Sequence, residues 1–300
     1  MSADSSETTK GVAFGLGAYI MWGCFPLFFA LFDGVPAYEI LVHRIIWSSA
    51  FLAIVVTLLR RWSPIKAALA NPSALGRVFA CAILIAANWG LYIYAVETRH
   101  VLQASLGYFL TPLVNVALGM LVLRERMARL QTIAVALAGV GILIQLVLLG
   151  AVPWISLALA LTFGTYGLLR KQIVLDGLSG LFVETLLLLP VGLMVLAGLA
   201  HVGRSHLGSD QALTVLLVAS GVITALPLLA FAGAARRLRL STLGFLMYIN
   251  PTMQFLIALL VFNEPMSRVQ LLSFMTIWGA LALYTLSAWQ SRPAQQARSA

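Results

Sequence analysis

From residue 11 to residue 289 the chain is a series of apolar runs separated by short charged joints. Each run has about the 20 residues that a helix needs to cross a hydrocarbon core. Ten of them lie near 11–32, 39–59, 78–96, 102–123, 129–149, 152–169, 178–200, 212–235, 241–262 and 269–289. A bilayer core offers no water to backbone N–H and C=O groups, so runs of this length are predicted to be helical. The expected fold class is therefore all-α, a polytopic membrane protein with ten transmembrane helices. Composition supports this, with 61% hydrophobic and 10% charged residues. Soluble domains carry about 25% charged residues.

The basic residues alternate with the joints. With the N-terminus inside, fifteen Lys and Arg fall on the cytoplasmic side (Lys10, Arg60, Arg61, Lys66, Arg77, Arg124, Arg126, Arg129, Arg170, Lys171, Arg236, Arg237, Arg239, Arg292, Arg298). Three fall outside (Arg99, Arg204, Arg268), and Arg44 lies within the second run. That asymmetry is the positive-inside pattern, with both termini cytoplasmic. It also accounts for the net charge of +9. No basic, aromatic-interleaved groove accompanies that charge, so nucleic acid is not an expected partner. Cys24 and Cys81 lie inside apolar runs and form no disulfide framework or metal cluster. Residues 1–10 are polar and lack the features of a cleaved signal peptide, so the first helix is expected to stay. The tail SRPAQQARSA, residues 291–300, is expected to be disordered.

The chain repeats itself. LGYFLTPLVNVALGMLVLRE (106–125) matches LGFLMYINPTMQFLIALLVFNE (243–264) at a shift of 139. Pro112 then falls on Pro251, Asn115 on Gln254 and Glu125 on Glu264. Upstream the offset drifts: Trp22-Gly23 resembles Tyr166-Gly167, and Glu39 resembles Glu184. The organisation expected is a cytoplasmic tail (1–10), a first five-helix repeat (11–149), a second repeat (152–289) and a cytoplasmic tail (290–300). Five spans is an odd number, so the second repeat enters the membrane inverted. Inverted repeats are a mark of secondary transporters, with the substrate near the midplane between them.

Several polar residues stand inside the runs. Tyr108, Thr111, Pro112, Asn115 and Gly119 form one helical stripe, and Met247, Asn250, Pro251, Gln254 and Ala258 form its counterpart. These stripes fit a surface facing protein or a water-filled cavity, with Pro112 and Pro251 as hinges. The alternative is that the amides only join helices and the prolines only kink them. Glu39, His43 and Arg44 open the second run. They read either as a gate, with Arg44 clamping a substrate carboxylate, or as an interfacial cluster that pairs internally or reaches the surface. Glu184 is either a proton carrier or the partner of a loop arginine. Asn88, Trp89 and Tyr92 line a pocket or belong to an interfacial aromatic belt. Trp22 and Tyr166 are candidate pocket walls. HExxH, GxSxG and P-loop motifs are missing, so an enzyme is not expected. No cofactor or metal is implied.

The stretches EILVHRIIWS (39–48), NWGLYIYAV (88–96), QASLGYFLTPLVNVALG (103–119) and RLRLSTLGFLMYINPT (237–252) resemble the RarD branch of the EamA-type transporters, within the drug/metabolite transporter superfamily. The resemblance spans about residues 11 to 289. It implies a bacterial inner-membrane permease of two inverted five-helix repeats, with a central cavity between spans one, three, four, six, eight and nine. It also implies export of amino acids and small metabolites, and the branch carries a chloramphenicol-resistance label. Small four-span relatives couple to protons through a Glu in their first span. Residues 11–32 here contain no acid, so that residue does not carry over and protons stay open as a partner.

The reading that follows is a permease exporting small amphipathic solutes by alternating access: amino acids, related metabolites or chloramphenicol-like drugs. Its expected contacts are Asn88, Tyr92, Tyr108, Asn115, Asn250 and Gln254, with Trp22, Trp89 and Tyr166 as walls. Glu39, His43, Arg44 and Glu184 are the gate or charge cluster. Its partners are a small-molecule substrate and the lipid bilayer, and a monomer is expected because one repeat pair closes a cavity. An uncoupled facilitator and an intramembrane enzyme using Glu39 and His43 are the rivals.

Overall fold

The computed structural model describes residues 2–122, 124, 128–238 and 240–290. Glu125, Arg126, Arg239 and the tail 291–300, which carried parts of the reading above, lie outside the described residues. The described chain is all-helical: α1 (Ser2–Gly23), α2 (Phe25–Phe29), α3 (Ala37–Leu58), α4 (Trp62–Leu69), α5 (Pro72–Glu97), α6 (Val101–Val122), α7 (Arg129–Leu149), α8 (Trp154–Arg170), α9 (Gly177–His201), α10 (Gln211–Ala235), α11 (Leu240–Leu246), α12 (Ile249–Leu260) and α13 (Arg268–Gln290). Seven of these, α3, α5, α6, α7, α9, α10 and α13, are long and apolar enough to cross a membrane. The exterior is correspondingly apolar, with Leu121 75%, Val147 73% and Leu260 73% exposed. The buried set includes Glu39, Arg44, Asn88, Glu184 and Gln254. An apolar outside and a polar inside suit lipid as the surrounding solvent.

The differences from the sequence reading fall at helix ends. The first helix starts at Ser2, not near residue 11, and breaks at Cys24 before Pro26. The third run begins early, at Pro72, because Asn71 caps it by accepting from the N–H groups of Ser73 and Ala74. The ninth run divides into α11 and α12 at Met247–Tyr248. Pro251 is the third residue of α12. There its missing N–H costs no intrahelical bond, while the Met247 carbonyl one turn earlier is released at the break. Pro112, by contrast, lies inside an α6 that runs on through it.

Acidic side chains cap or brace several helix starts. Glu264, 7% exposed, accepts from the N–H groups of Val101 and Leu102 at 2.7 and 2.8 Å, capping α6 from the segment that follows α12. Glu97 accepts from the Ala37 N–H at the start of α3. Asp176 caps α9 through Leu178 and Ser179. Partial burial alone would raise the Asp176 pKa, but the Ser179 and Leu178 bonds and the nearby Arg61 charge outweigh it and hold the carboxyl below its ordinary 3.8. A depressed acid adds stability that is complete above its unfolded pKa and is lost as the pH falls through the folded value. Asp176→Asn is therefore expected to melt below the parent at pH 7, with the gap closing as the pH drops below about 4. Melting curves of the two proteins across that range check this.

The helices pack in a definite set of pairs. α7 lies along α13, α3 along α9 and α6 against α12. α6 also packs on α8, α1 on α12, α3 on α10, α5 on α9, α1 on α10 and α5 on α8. Small residues permit the closest of these approaches. A Cβ on Gly221 of α10 would run into the backbone of Trp47 and Ser48 on α3, and one on Gly107 of α6 would meet Ser156 of α8.

Candidate functional site

Arg44 sits in the second turn of α3, about 10 Å along the helix from Ala37. It is 1% exposed. Its Nε donates to Thr224 Oγ1 on α10 at 2.9 Å. The Gly221 contact one turn away brings α3 and α10 close enough for this bond, and Ser48 Oγ donates to the Gly221 carbonyl beside it at 3.1 Å. Three rings surround the guanidinium carbon: Trp89 at 4.7 Å, Phe29 at 4.9 Å and Phe25 at 5.8 Å to their centroids. Nη1 is buried without a hydrogen-bond partner. Among the described residues no carboxylate lies within ion-pair distance of it.

Glu39 and His43, adjacent in sequence to Arg44, turn elsewhere because they lie on another face of α3. Glu39 is fully buried and accepts from the backbone N–H of His206 at 2.7 Å and from His206 Nδ1 at 2.7 Å. His43 Nδ1 accepts from Trp47 Nε1. An indole N–H only donates, so the imidazole proton sits on Nε2, 4.0 Å from Glu39 Oε1. The structure thus joins Glu39 and His43 to the 201–210 joint and leaves Arg44 apart from them.

A second group surrounds Asn88 on α5. Its amide nitrogen donates to the Leu159 carbonyl and Thr162 Oγ1 on α8 at 3.1 and 3.0 Å. Its oxygen accepts from the Tyr108 hydroxyl of α6 at 3.3 Å. Tyr92 packs on Tyr108 (5.7 Å between centroids) and on Phe29 (6.1 Å), and its hydroxyl is buried without a partner. Phe29 packs on Tyr92 and also faces Arg44, and Trp89, next to Asn88 on α5, faces Arg44 as well. The Asn88 and Arg44 groups are therefore one site where α2, α3, α5, α6, α8 and α10 converge.

From Tyr108 a ring series runs through Phe163 (6.2 Å) to Tyr166 (6.0 Å), both on α8. Tyr166 donates to fully buried Glu184 of α9 at 3.3 Å, and Arg170 lies 3.6 Å from the same carboxylate. Glu184 thus has its arginine partner at the end of α8. Gln254 is buried and donates to Asn250 Oδ1 at 2.6 Å and to the Trp22 carbonyl at 3.4 Å. The Trp22 ring packs with Tyr19 and Phe231. Asn115 is exposed, and its Oδ1 is near Gly164 and Gly167 of α8. The structure therefore unites Asn88, Trp89, Tyr92, Tyr108 and Arg44, links Tyr166 and Glu184 to them through Phe163, and sets Trp22, Asn250 and Gln254 in a separate group. Sequence reasoning missed Phe25, Phe29, Thr162, Thr224 and His206. Only Phe25 and Phe29 left a signal, as an aromatic run in 25–32.

Comparison with known proteins decides the family. Residues 9–147 match the EamA-like transporter family. The chain is 46% identical to Protein RarD of Salmonella typhimurium over 95% of this chain and 97% of that protein. The chain belongs to the RarD branch of the EamA-like transporters. The chain is also similar to an uncharacterized transporter of Vibrio cholerae, 44% identical over 95% of each chain. A third relative is the chloramphenicol-sensitive protein RarD of Pseudomonas aeruginosa, 34% identical over 94% of each. One protein of known crystal structure superposes with a TM-score of 0.58 at 18% identity, covering 93% of this chain and 98% of that one. That likeness concerns the fold alone. Family and helices together make the chain a multi-pass membrane transporter.

Proposed function

We propose that the chain is a secondary transporter of the bacterial inner membrane that exports small amphipathic solutes by alternating access. Both termini are cytoplasmic, and ten spans form two inverted five-helix halves, 11–149 and 152–289. In this scheme α1 with α2, and α11 with α12, each make one span, and the amphipathic α4 lies outside the ten.

The observation that carries the reading is the packing pattern. Exchanging spans one to five with six to ten turns α6–α8 into α12–α1, α3–α10 into α9–α5, and α1–α10 into α8–α5, all of them observed pairs. The same exchange leaves α7–α13, α3–α9 and α6–α12 unchanged. Local details follow it. Arg124 and Asn263, which fall together at the shift of 139, both lie just past their helices at positive φ, 53° and 51°. Gln254 reaches the Trp22-Gly23 segment of α1, and its counterpart Asn115 reaches the corresponding Gly167 of α8. Halves related in this way can rock about a site between them, and the Arg44–Asn88 site draws side chains from both.

Substrate contacts are assigned to Asn88, Tyr92 and Tyr108, with Trp89 and Tyr166 as walls. Asn115, Asn250, Gln254 and Trp22 would line the path between the two halves. Glu39, His43 and His206 form the outer gate, Glu184 and Arg170 the inner one, and Pro112 and Pro251 are the hinges. The test is counterflow in liposomes holding the purified protein, with labelled amino acids, aromatic acids and chloramphenicol. Protein-dependent exchange of at least one class, reduced by Asn88→Ala, is expected. A folded protein that exchanges none of them would contradict the proposal. The absence of an acid from residues 11–32 favours an uncoupled facilitator as the second reading. Flux unchanged when the proton gradient is collapsed would select it.

A further inference from the structure

Two buried donors in the central site have capacity left over. Arg44 Nη1 and the Tyr92 hydroxyl both lack hydrogen-bond partners. A guanidinium has no acceptor, and a phenol readily donates. A group that satisfies either must accept, and beside a buried guanidinium it is best an anion. The planar fork of arginine matches the two oxygens of a carboxylate. Arg44 is the single Lys or Arg in the interior of the apolar runs as read from the sequence, Arg129 standing at the very start of its run. One negative charge therefore neutralises the site, whereas a phosphate monoester would bring a second charge with no cation to meet it. A free ammonium on the ligand would also lack a counter-charge, because Glu39 is held by His206.

The neighbouring space fixes the rest of the ligand. Beside Arg44, though not lined by it, lies a half-open crevice of about 180 Å³ walled by Met21, Cys24, Phe25, Phe28, Ile223 and Leu226, the last 41% exposed. Its Phe25 wall is one of the rings facing Arg44, and Ile223 precedes the Thr224 that holds the guanidinium. An enclosed apolar cavity of about 150 Å³ holds a benzene ring, so the crevice has the volume for one. We propose that this site takes a small aromatic monocarboxylate, its carboxylate on Arg44 and the Tyr92 hydroxyl and its ring in the Phe25–Ile223 crevice. The inference rests on the transporter reading and narrows its substrate from amphipathic solutes in general to aromatic acids without a free amine.

The experiment uses the full chain purified in detergent. Thermal melting and tryptophan fluorescence are followed with phenylacetate, phenylacetamide, phenethylamine and phenylalanine. A ligand that binds the folded state raises its melting temperature. Phenylacetate is expected to do so, and the amide and the amine are not. Phenylalanine is expected to bind more weakly than phenylacetate. Arg44→Gln should weaken phenylacetate binding roughly tenfold or more, Tyr92→Phe should weaken it severalfold, and Arg44→Lys should recover part of the loss. If Arg44→Gln fails to fold, Arg44→Lys and Tyr92→Phe carry the comparison. The amide binding as well as the acid, Arg44→Gln keeping wild-type affinity, or phenylacetate giving no shift would each overturn the assignment. Counterflow in the same preparation separates the two failures. Exchange of another solute would leave the transporter reading standing, and exchange of none would remove both.

Discussion

Gly221→Val is expected to cost the protein about 3 kcal/mol or more, or to prevent its recovery as a folded species. The reason lies in the α3–α10 contact, where a Cβ on Gly221 would occupy the space of the Trp47 and Ser48 backbone. Backbone cannot swing aside as a side-chain tip can, so the helices must part. Parting them also lengthens Ser48 Oγ to Gly221 O and Arg44 Nε to Thr224 Oγ1. The effect has a control in its sign. Gly139 and Gly198 are helical glycines with nothing within 4 Å of a built Cβ. Alanine there removes glycine's helix penalty and is expected to be neutral or to gain about 0.5 kcal/mol. Gly221→Ala should lower the melting temperature while Gly139→Ala and Gly198→Ala hold or raise it. Three equal melting temperatures would mean that the α3–α10 contact is looser than described.

Glu264→Ala carries the second large effect, about 2–3 kcal/mol. Its carboxylate satisfies two of the donors that the start of α6 cannot satisfy internally, and it sits where the helix dipole favours negative charge. Truncation leaves two buried N–H groups without acceptors. Glu264→Gln keeps one acceptor oxygen and loses the charge, so it should fall between the parent and Glu264→Ala. Melting temperatures in that order support the cap. Equality of Gln and Ala would show that the charge matters and the remaining acceptor does not.

These two residues mark the limit of what the sequence discloses. The apolar runs were legible because lipid demands a helix of minimum length, and the family was legible from long ordered stretches such as NWGLYIYAV. Asn88, Tyr92 and Tyr108 were legible as polar or aromatic groups on helical faces with no charge nearby. Helical spacing also separates Arg44 from Glu39 and His43, but it does not say which of them faces α10. That depends on Thr224 and Gly221, 177 or more positions away in the chain. The capping of α6 by Glu264 is equally non-local. Asn115 shares a stripe with Tyr108, yet it is exposed while Tyr108 packs between Tyr92 and Phe163. A stripe gives the side of a helix, and depth along that side decides what it meets. The short α4 escaped notice because eight residues of mixed polarity carry no membrane signal.

The central claim is that the Arg44–Asn88 site opens to one side of the membrane and then to the other. Cys24 and Cys81 are first replaced by alanine to clear the background, and Thr162→Cys then places one thiol beside Asn88. Oriented vesicles are treated with a membrane-impermeant thiol reagent from one side at a time. Labelling from either side, with a bound solute that suppresses both, is the predicted result. Labelling from one side alone under every condition, in a protein that still folds, would contradict alternating access at this site.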